Sequence, residues 1–196
     1  MITQHLAEPV RQSALRLQWG ARRSLELGDP TFFGYCANQA LLFEMMASQE
    51  LSVFEQHDRR LRAACVEYQQ FLAVPPIDTW GQLAANLRGE HNGDPAVLSG
   101  PRFDFDTAMA DFRRIGVVTS IFYASNAAQW VATIFNAPER VLAIAAEYQA
   151  ENDSPMNVAC YGQTVMAFFR VLARFDLERD LAQNAPDAPD RVRLAA

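Results

Sequence analysis

The sequence of 196 residues predicts an all-α protein, a single-domain bundle of six to seven helices. Three observations predict this fold class. Apolar residues recur at helical spacing along most of the chain, and no alternating apolar and polar run bounded by turn residues predicts a strand. Proline, aspartate and glycine stand where helices usually begin and end. We expect one helical domain over residues 1–183 and a flexible tail over 184–196.

Seven helices are predicted in chain order. Pro9 fits the first turn of the first helix and Gly28 follows its end, while Asp29 caps the second helix ahead of Pro30. The prolines at 75–76 end the third helix. The predicted ranges are 8–27, 30–48, 51–72, 79–87, 106–135, 138–151 and 155–181. Asp78 and Asp106 are the expected caps of the fourth and fifth helices, and a bend is expected near Gly116 or at Ser125-Asn126.

Three long segments carry no Asp, Glu, Lys, Arg or His: 30–43, 115–138 and 155–169. The second is long enough to cross a membrane, but polar residues interrupt it, so no membrane span is expected. A helix that is nearly apolar all round normally lies at the centre of a bundle, or in an oligomer interface as the alternative. We therefore predict a hydrophobic central pair over 106–136 and 155–181. The expected aromatic anchors are Phe122, Trp130, Phe135, Phe168 and Phe169.

A weak internal similarity relates two parts of the chain. The segment Arg60–Gln69 resembles the segment Arg140–Gln149, and both end in Glu-Tyr-Gln. Two pseudo-repeated helical units are one interpretation, and chance similarity between alanine-rich helices is the other. Two copies are too few for a solenoid.

The charge balance disfavours several function classes. The net charge is -6, which argues against broad binding to nucleic acid or anionic membranes. All 17 basic residues are arginine, so Schiff-base and P-loop lysine chemistry are excluded. Codon bias in a GC-rich bacterial genome explains a lysine-free chain. Selection against a lysine-directed modification, as in an effector delivered into a host cell, is the alternative.

Cysteine usage and the first residues predict a cytoplasmic protein. The segment from Met1 to Gln12 lacks a basic stretch followed by an apolar core, so no secretory signal is expected. Cys36, Cys65 and Cys160 are odd in number and far apart. They are expected to be buried thiols in a reducing compartment.

No metal, cofactor or catalytic residue is predicted. The chain lacks HExxH, CxxC, Gly-x-Ser-x-Gly and phosphate-binding glycine motifs. The dyad His57-Asp58 resembles the centre of the HD-type metal phosphohydrolase motif, which would imply metal-assisted hydrolysis. We expect instead that this dyad lies on the solvated face of an amphipathic helix. The residues that could nominally complete the motif are His5 with Asp104, Asp106 or Asp111.

The longest loop, residues 88–105, is the first candidate site. It is rich in glycine, proline and acidic side chains, which fits either a solvated connector or a recognition loop for a protein partner. Exposed arginines suit protein interfaces because their guanidinium groups pair with carboxylates. The candidate partner-binding residues are Glu90, Asp94, Arg102, Phe103, Asp104, Arg59 and Arg60.

Polar residues on the uncharged helices are the second candidate site. If these helices enclose a cavity, their side chains would contact a small ligand. A filled core would argue against such a site. The candidate ligand-binding residues are Thr119, Tyr123, Asn126, Gln129, Tyr161 and Gln163.

The function expected from these features is non-enzymatic. Small size, acidity and the lack of catalytic motifs favour a bacterial accessory, adaptor or immunity protein of a secretion or toxin system, acting through protein contacts. A helical small-molecule-binding protein or enzyme is the first alternative. A metal phosphohydrolase and a host-delivered effector are the others.

Overall fold

The computed structural model describes residues 8–47, 50–157 and 161–184. Over these ranges the chain forms nine α-helices and one short 3-10 helix, and no strand, which confirms the all-α prediction. The α-helices are α1 Val10–Glu26, α2 Pro30–Met46, α3 Leu51–Glu67, α4 Val74–Leu87, α5 Phe105–Ile115, α6 Val118–Ile134, α7 Pro138–Glu147, α8 Gln149–Asn152 and α9 Tyr161–Asn184. The 3-10 helix spans Pro155–Asn157.

Helix α6 lies at the centre of the bundle. Helices α4, α5, α7, α8 and α9 pack around it, and every residue from Ser120 to Gln129 is buried, as are Val131 and Ala132. This confirms the prediction drawn from its lack of charge. No helix in the described ranges is long and apolar enough to cross a membrane.

Helix α9, the other member of the predicted pair, is buried on one side only. Phe169 and Ala173 pack against α6 and α7, and Trp130 contacts the ring of Phe169 at 5.7 Å between centroids. Phe168 points away and is 58% exposed, so its prediction as a core anchor was wrong. Adjacent residues on a helix differ in direction by about 100°, so one of two neighbouring phenylalanines must leave the core.

Helices α1 and α2 pack together as a hairpin, and the turn between them lies at Gly28 and Asp29, where the capping residues predicted a helix boundary. The Asp29 side chain accepts a hydrogen bond from the backbone N–H of Phe32 at 2.9 Å. Gly20 lies so close to α2 that a Cβ there would be 3.3 Å from Sγ of Cys36. Cys36 and Cys65 are buried, which raises the pKa of each thiol to about 11, whereas Cys160 lies outside the described residues.

The predicted fifth helix is two helices. Gly116 has a positive φ of 75° and ends α5 in the left-handed conformation, and α6 begins two residues later. The cap of α5 is Asp104 rather than Asp106, because Asp104 accepts the backbone N–H of Thr107 at 3.0 Å. Asp104 also accepts the hydroxyl of Ser99, and these bonds lower the pKa of its carboxyl.

The prolines at 75–76 begin a helix rather than end one. Helix α3 stops at Glu67, and the chain turns through Gln69, which has a φ of 56°. The prolines then occupy the first turn of α4, where missing N–H groups cost nothing. Asp78, the predicted cap, therefore lies inside α4, where its carboxylate pairs with arginine.

The C-terminal tail and the internal similarity are the two remaining predictions about the fold. The predicted tail begins at the last residue of α9, and residues 185–196 lie outside the described ranges. The two similar segments both close a helix with tyrosine as the C-cap, Tyr68 after α3 and Tyr148 after α7. The duplication itself stays a prediction.

Replacing Gly116 tests the break between α5 and α6. Gly116→Ala is expected to lower the free energy of unfolding by about 1 kcal/mol, because a Cβ disfavours the left-handed conformation. The added Cβ would meet no atom within 4 Å, so the loss is conformational rather than steric. Gly116→Asn is the matched control, since asparagine tolerates this conformation, and should lose less. Urea titration measures both, and an equal loss in the two variants would contradict the explanation.

Candidate functional site

The loop from Gly89 to Asp104 is fastened to α4 by two buried amide side chains. Gln82 donates to the carbonyl oxygen of Glu90 at 3.1 Å, and its Oε1 accepts the backbone N–H of Arg102 at 3.0 Å. Asn86 donates to the carbonyl oxygens of Pro95 and Val97 at 3.0 and 2.6 Å. The longest loop therefore has a fixed path across α4.

This path delivers Arg102 to a buried ion network. Its guanidinium pairs with the carboxylates of Asp58 on α3 and Asp78 on α4, and the Asp78 contact measures 2.8 Å. Arg62 donates two further bonds to Asp78, at 2.6 and 3.1 Å. The Asp58 side chain is fully buried, so its predicted place on a solvated face was wrong.

The network depends on close packing around the guanidinium group. Burial raises the pKa of the Asp58 carboxyl, while the hydrogen bond and charge of Arg102 oppose this shift. A Cβ at Gly81 would overlap the guanidinium of Arg102, so only glycine lets that group lie against α4. A buried carboxylate with a specific cation is costly to separate once formed.

A polar cleft of about 530 Å³ opens beside this network. Four arginines line it together with Glu55, Asp78 and Glu90. Each of the four forms at least one ion pair with a carboxylate, and Asp58 lies beneath them. The positive charge of the cleft is therefore already balanced by these carboxylates. The arginines are Arg59, Arg62, Arg88 and Arg102.

The structure brings three of the seven predicted partner-binding residues together, since Arg59, Glu90 and Arg102 line this cleft, and places the others apart from it. Phe103 is in the core, and Arg102 is partly buried in the ion network. Asp104 caps α5. The exposed members of the seven are Arg59, Arg60, Glu90, Asp94 and Asp104.

The dyad His57-Asp58 does not converge on a common site. Nδ1 of His57 lies 3.0 Å from Oε2 of Glu44, a fully buried carboxylate that also accepts a bond from Gln18 at 2.6 Å. Asp58 bonds Arg102 instead. Over residues 8–47, 50–157 and 161–184, no three His, Cys, Asp or Glu residues are grouped as metal ligands would be, and His5 lies outside these ranges.

The six predicted ligand-binding residues also separate. Tyr123 bonds Gln39, and Asn126 donates to the carbonyl oxygen of Gly162 at 3.0 Å. Tyr161 packs on the ring of Phe43, and Thr119 is partly buried near the start of α6. The two remaining residues, Gln129 and Gln163, line a common cavity between α6 and α9.

An exposed aromatic surface was missed by the sequence analysis. Each of its five large apolar side chains is at least 43% exposed. Tight contacts connect the elements that carry them: Gly20 of α1 meets Cys36 of α2, and Gly34 of α2 meets Ala73 of the turn before α4. The members are Trp19, Tyr35, Tyr68, Phe71 and Leu72.

Arginines surround the tryptophan of this aromatic surface. Trp19 lies three or four residues from Arg16, Arg22 and Arg23, which places them beside it on the exposed face of α1. Helix α1 carries four arginines and one glutamate, in a chain whose net charge is -6. The position of Trp19 off the apolar stripe of α1 was the one sequence signal for this surface.

No protein-family model, curated protein or solved structure matches this chain, so its geometry alone supports a function.

Removing the cation of the ion network tests its role in stability. Arg102→Ala is expected to lower the free energy of unfolding by about 3 kcal/mol, because Asp58 is left buried without its main partner. Urea titration measures the loss. Arg60→Ala, which removes an exposed arginine from the same helix as Asp58, should stay within about 0.5 kcal/mol of the unmodified protein. An equal loss in both variants would rule out the network as the cause.

The same variant should respond to pH in a defined direction. Loss of the guanidinium raises the pKa of Asp58 further above its unfolded value, since burial then acts unopposed. A carboxyl with a raised folded pKa gains stability as the pH falls through that pKa. The deficit of Arg102→Ala should therefore be larger at about pH 8 than at about pH 5. A deficit that grows on acidification would contradict this assignment.

Proposed function

We propose that the protein acts without catalysis, by binding another protein chain through the aromatic surface formed by Trp19, Tyr35, Tyr68, Phe71 and Leu72. The observation that carries the proposal is that Trp19, Tyr35 and Phe71 are each more than 60% exposed, on elements that contact one another. Large apolar side chains grouped on a soluble domain mark interaction sites. Tryptophan, tyrosine and arginine are also the residues that contribute most to binding energy at protein interfaces.

The support beneath this surface suits a preformed interface. Phe33 is buried and its ring meets that of Tyr68 at 6.3 Å between centroids. A Cβ at Gly34 would be only 3.0 Å from Cβ of Ala73, so α2 and the turn before α4 are in close contact. Rigid support lowers the entropy lost on binding.

The charges beside Trp19 favour an acidic partner. Arg11 and Arg22 are exposed and form no ion pair with a described residue, whereas Arg16 and Arg23 each have a glutamate partner. Unpaired arginines at the rim of an apolar patch attract carboxylates and speed association. The partner should present an apolar centre with acidic residues around it.

The narrower role of an accessory, adaptor or immunity protein in a secretion or toxin system stays a prediction. Nothing in the described residues distinguishes these roles from one another. The alternatives of a metal phosphohydrolase and a host-delivered effector also stay predictions.

Paired variants test the proposed surface. Trp19→Ala with Tyr35→Ala is expected to weaken partner binding at least about 30-fold, because truncating an interface hot spot costs about 2 kcal/mol or more. Phe168→Ala with Phe175→Ala removes two other exposed aromatics, on α9, and should bind normally. Affinity capture from the producing cell identifies the partner, and calorimetry with that purified partner measures the affinities. Both variants should fold, since all four side chains are exposed.

Three outcomes would contradict this proposal. The first is capture of the same partner by the Trp19 and Tyr35 variant at full yield. The second is loss of the partner only with the α9 variant. The third is a dimer of this chain, seen by light scattering, that the Trp19 and Tyr35 variant dissociates, because the surface would then be occupied by a second copy.

A further inference from the structure

We propose that the cavity between α6 and α9 binds a small zwitterion of the α-amino acid type, a function separate from the aromatic surface. The cavity has a volume of about 390 Å³, which lies within the usual range of small-molecule sites, about 300 to 1,000 Å³. Thr164 and Ala167 of α9 are exposed members of its wall, so the cavity reaches the surface. Gln129 of α6 is its most deeply buried polar member.

Gln129 offers this cavity an acceptor that no described residue satisfies. Gln129 is 1% exposed, and its Oε1 has no hydrogen-bond partner in residues 8–47, 50–157 and 161–184. Nε2 lies 3.3 Å from the carbonyl oxygen of Ser125. Only the NH₂ group can approach a carbonyl oxygen favourably, so Oε1 is the free atom. A buried amide oxygen without a donor is costly, and a ligand that supplies a donor removes this cost.

Arg170 offers the cavity a cation without an anion. This partly buried guanidinium lines the wall and forms no ion pair with a described carboxylate. Its two hydrogen bonds, to the carbonyl oxygen of Met166 and to Oε1 of Gln149, are long, at 3.4 Å each. Arginine stays charged at all relevant pH values. A carboxylate is its natural complement, because it accepts two parallel N–H bonds.

Asp153 gives the wall a negative group on the other side of Gln149. Its carboxylate accepts a hydrogen bond from Nε2 of Gln149, while Oε1 of the same glutamine accepts from Arg170. One neutral side chain thus lies between the cation and the anion, which form no direct ion pair. Both charges stay available to a third molecule.

These three groups define the ligand. A carboxylate would pair with Arg170, and an ammonium group would donate to Oε1 of Gln129 and to Asp153. In an α-amino acid, the carboxylate and the ammonium group are bonded to the same carbon. Ala145 and Met166 provide apolar wall for its side chain. A water molecule could satisfy Oε1 of Gln129, whereas a zwitterion would in addition pair with the charges of Arg170 and Asp153.

Calorimetric titration of the purified protein tests this class of ligand. The probes are L-glutamine and the smaller L-alanine, with N-acetyl-L-glutamine lacking the ammonium charge and L-glutamine amide lacking the carboxylate. We expect at least one amino acid to bind, and each truncated analogue of glutamine to bind at least about tenfold more weakly than glutamine. No heat from either amino acid at millimolar concentration would overturn the proposal. Sodium acetate binding as tightly as the amino acids would also overturn it, because the site would then take a simple anion.

Variants of residues that line the cavity test whether the amino acid binds there. Arg170→Gln should weaken it at least about tenfold, whereas Arg174→Gln, an exposed arginine one turn further along α9, should not change it. Ala167→Phe narrows the mouth from an exposed position, leaves both charges in place, and should also weaken binding. Thermal unfolding without ligand checks that each variant is folded. Full affinity in Arg170→Gln would overturn the proposal, and if that variant does not fold, full affinity in Ala167→Phe would do so.

Discussion

The burial of α6 on all sides is the constraint on which the rest of the structure depends. This helix has no charge, so five other α-helices can pack around it without burying an unpaired ion. Its polar side chains must then find partners inside the bundle. Ser125 donates to Asn152 at 2.7 Å, and Asn126 donates to the backbone of α9 at Gly162. Oδ1 of Asn126 and Oε1 of Gln129 stay without a partner among the described residues, and the cavity between α6 and α9 is located at Gln129.

A second set of buried polar groups, on α4, holds the long loop in place. Gln82 and Asn86 hold its backbone, and the loop then carries Arg102 to Asp58. The acidic and arginine residues that suggested a recognition loop include groups that fix this path. The cleft beside them has its charges paired, so the surface best suited to a partner lies elsewhere, around Trp19.

Local sequence signals predicted the helices better than their ends. The cap at Asp29 and the first-turn prolines act within one turn, so composition and spacing reveal them. The prolines at 75–76 fit the end of one helix and the start of another equally well, and only packing of the turn against α2 decided between them. Phe168 and Phe169 could not be distinguished in the same way, because the first part of α9 has no charged residues to mark which of its sides is exposed.

The sequence by itself determined the fold class, the central place of α6 and the absence of lysine chemistry, since these depend on periodicity and composition. Only the tertiary structure decided which polar residues are buried together. Asp58 and Arg102 are 44 residues apart in sequence, and neither has a local pattern that predicts the other. Contacts between Gly20 and α2, and between Gly34 and the turn before α4, likewise connect Trp19, Tyr35 and Phe71 through the fold. Both proposed sites arise from contacts between distant segments, which is why spacing along the chain did not reveal them.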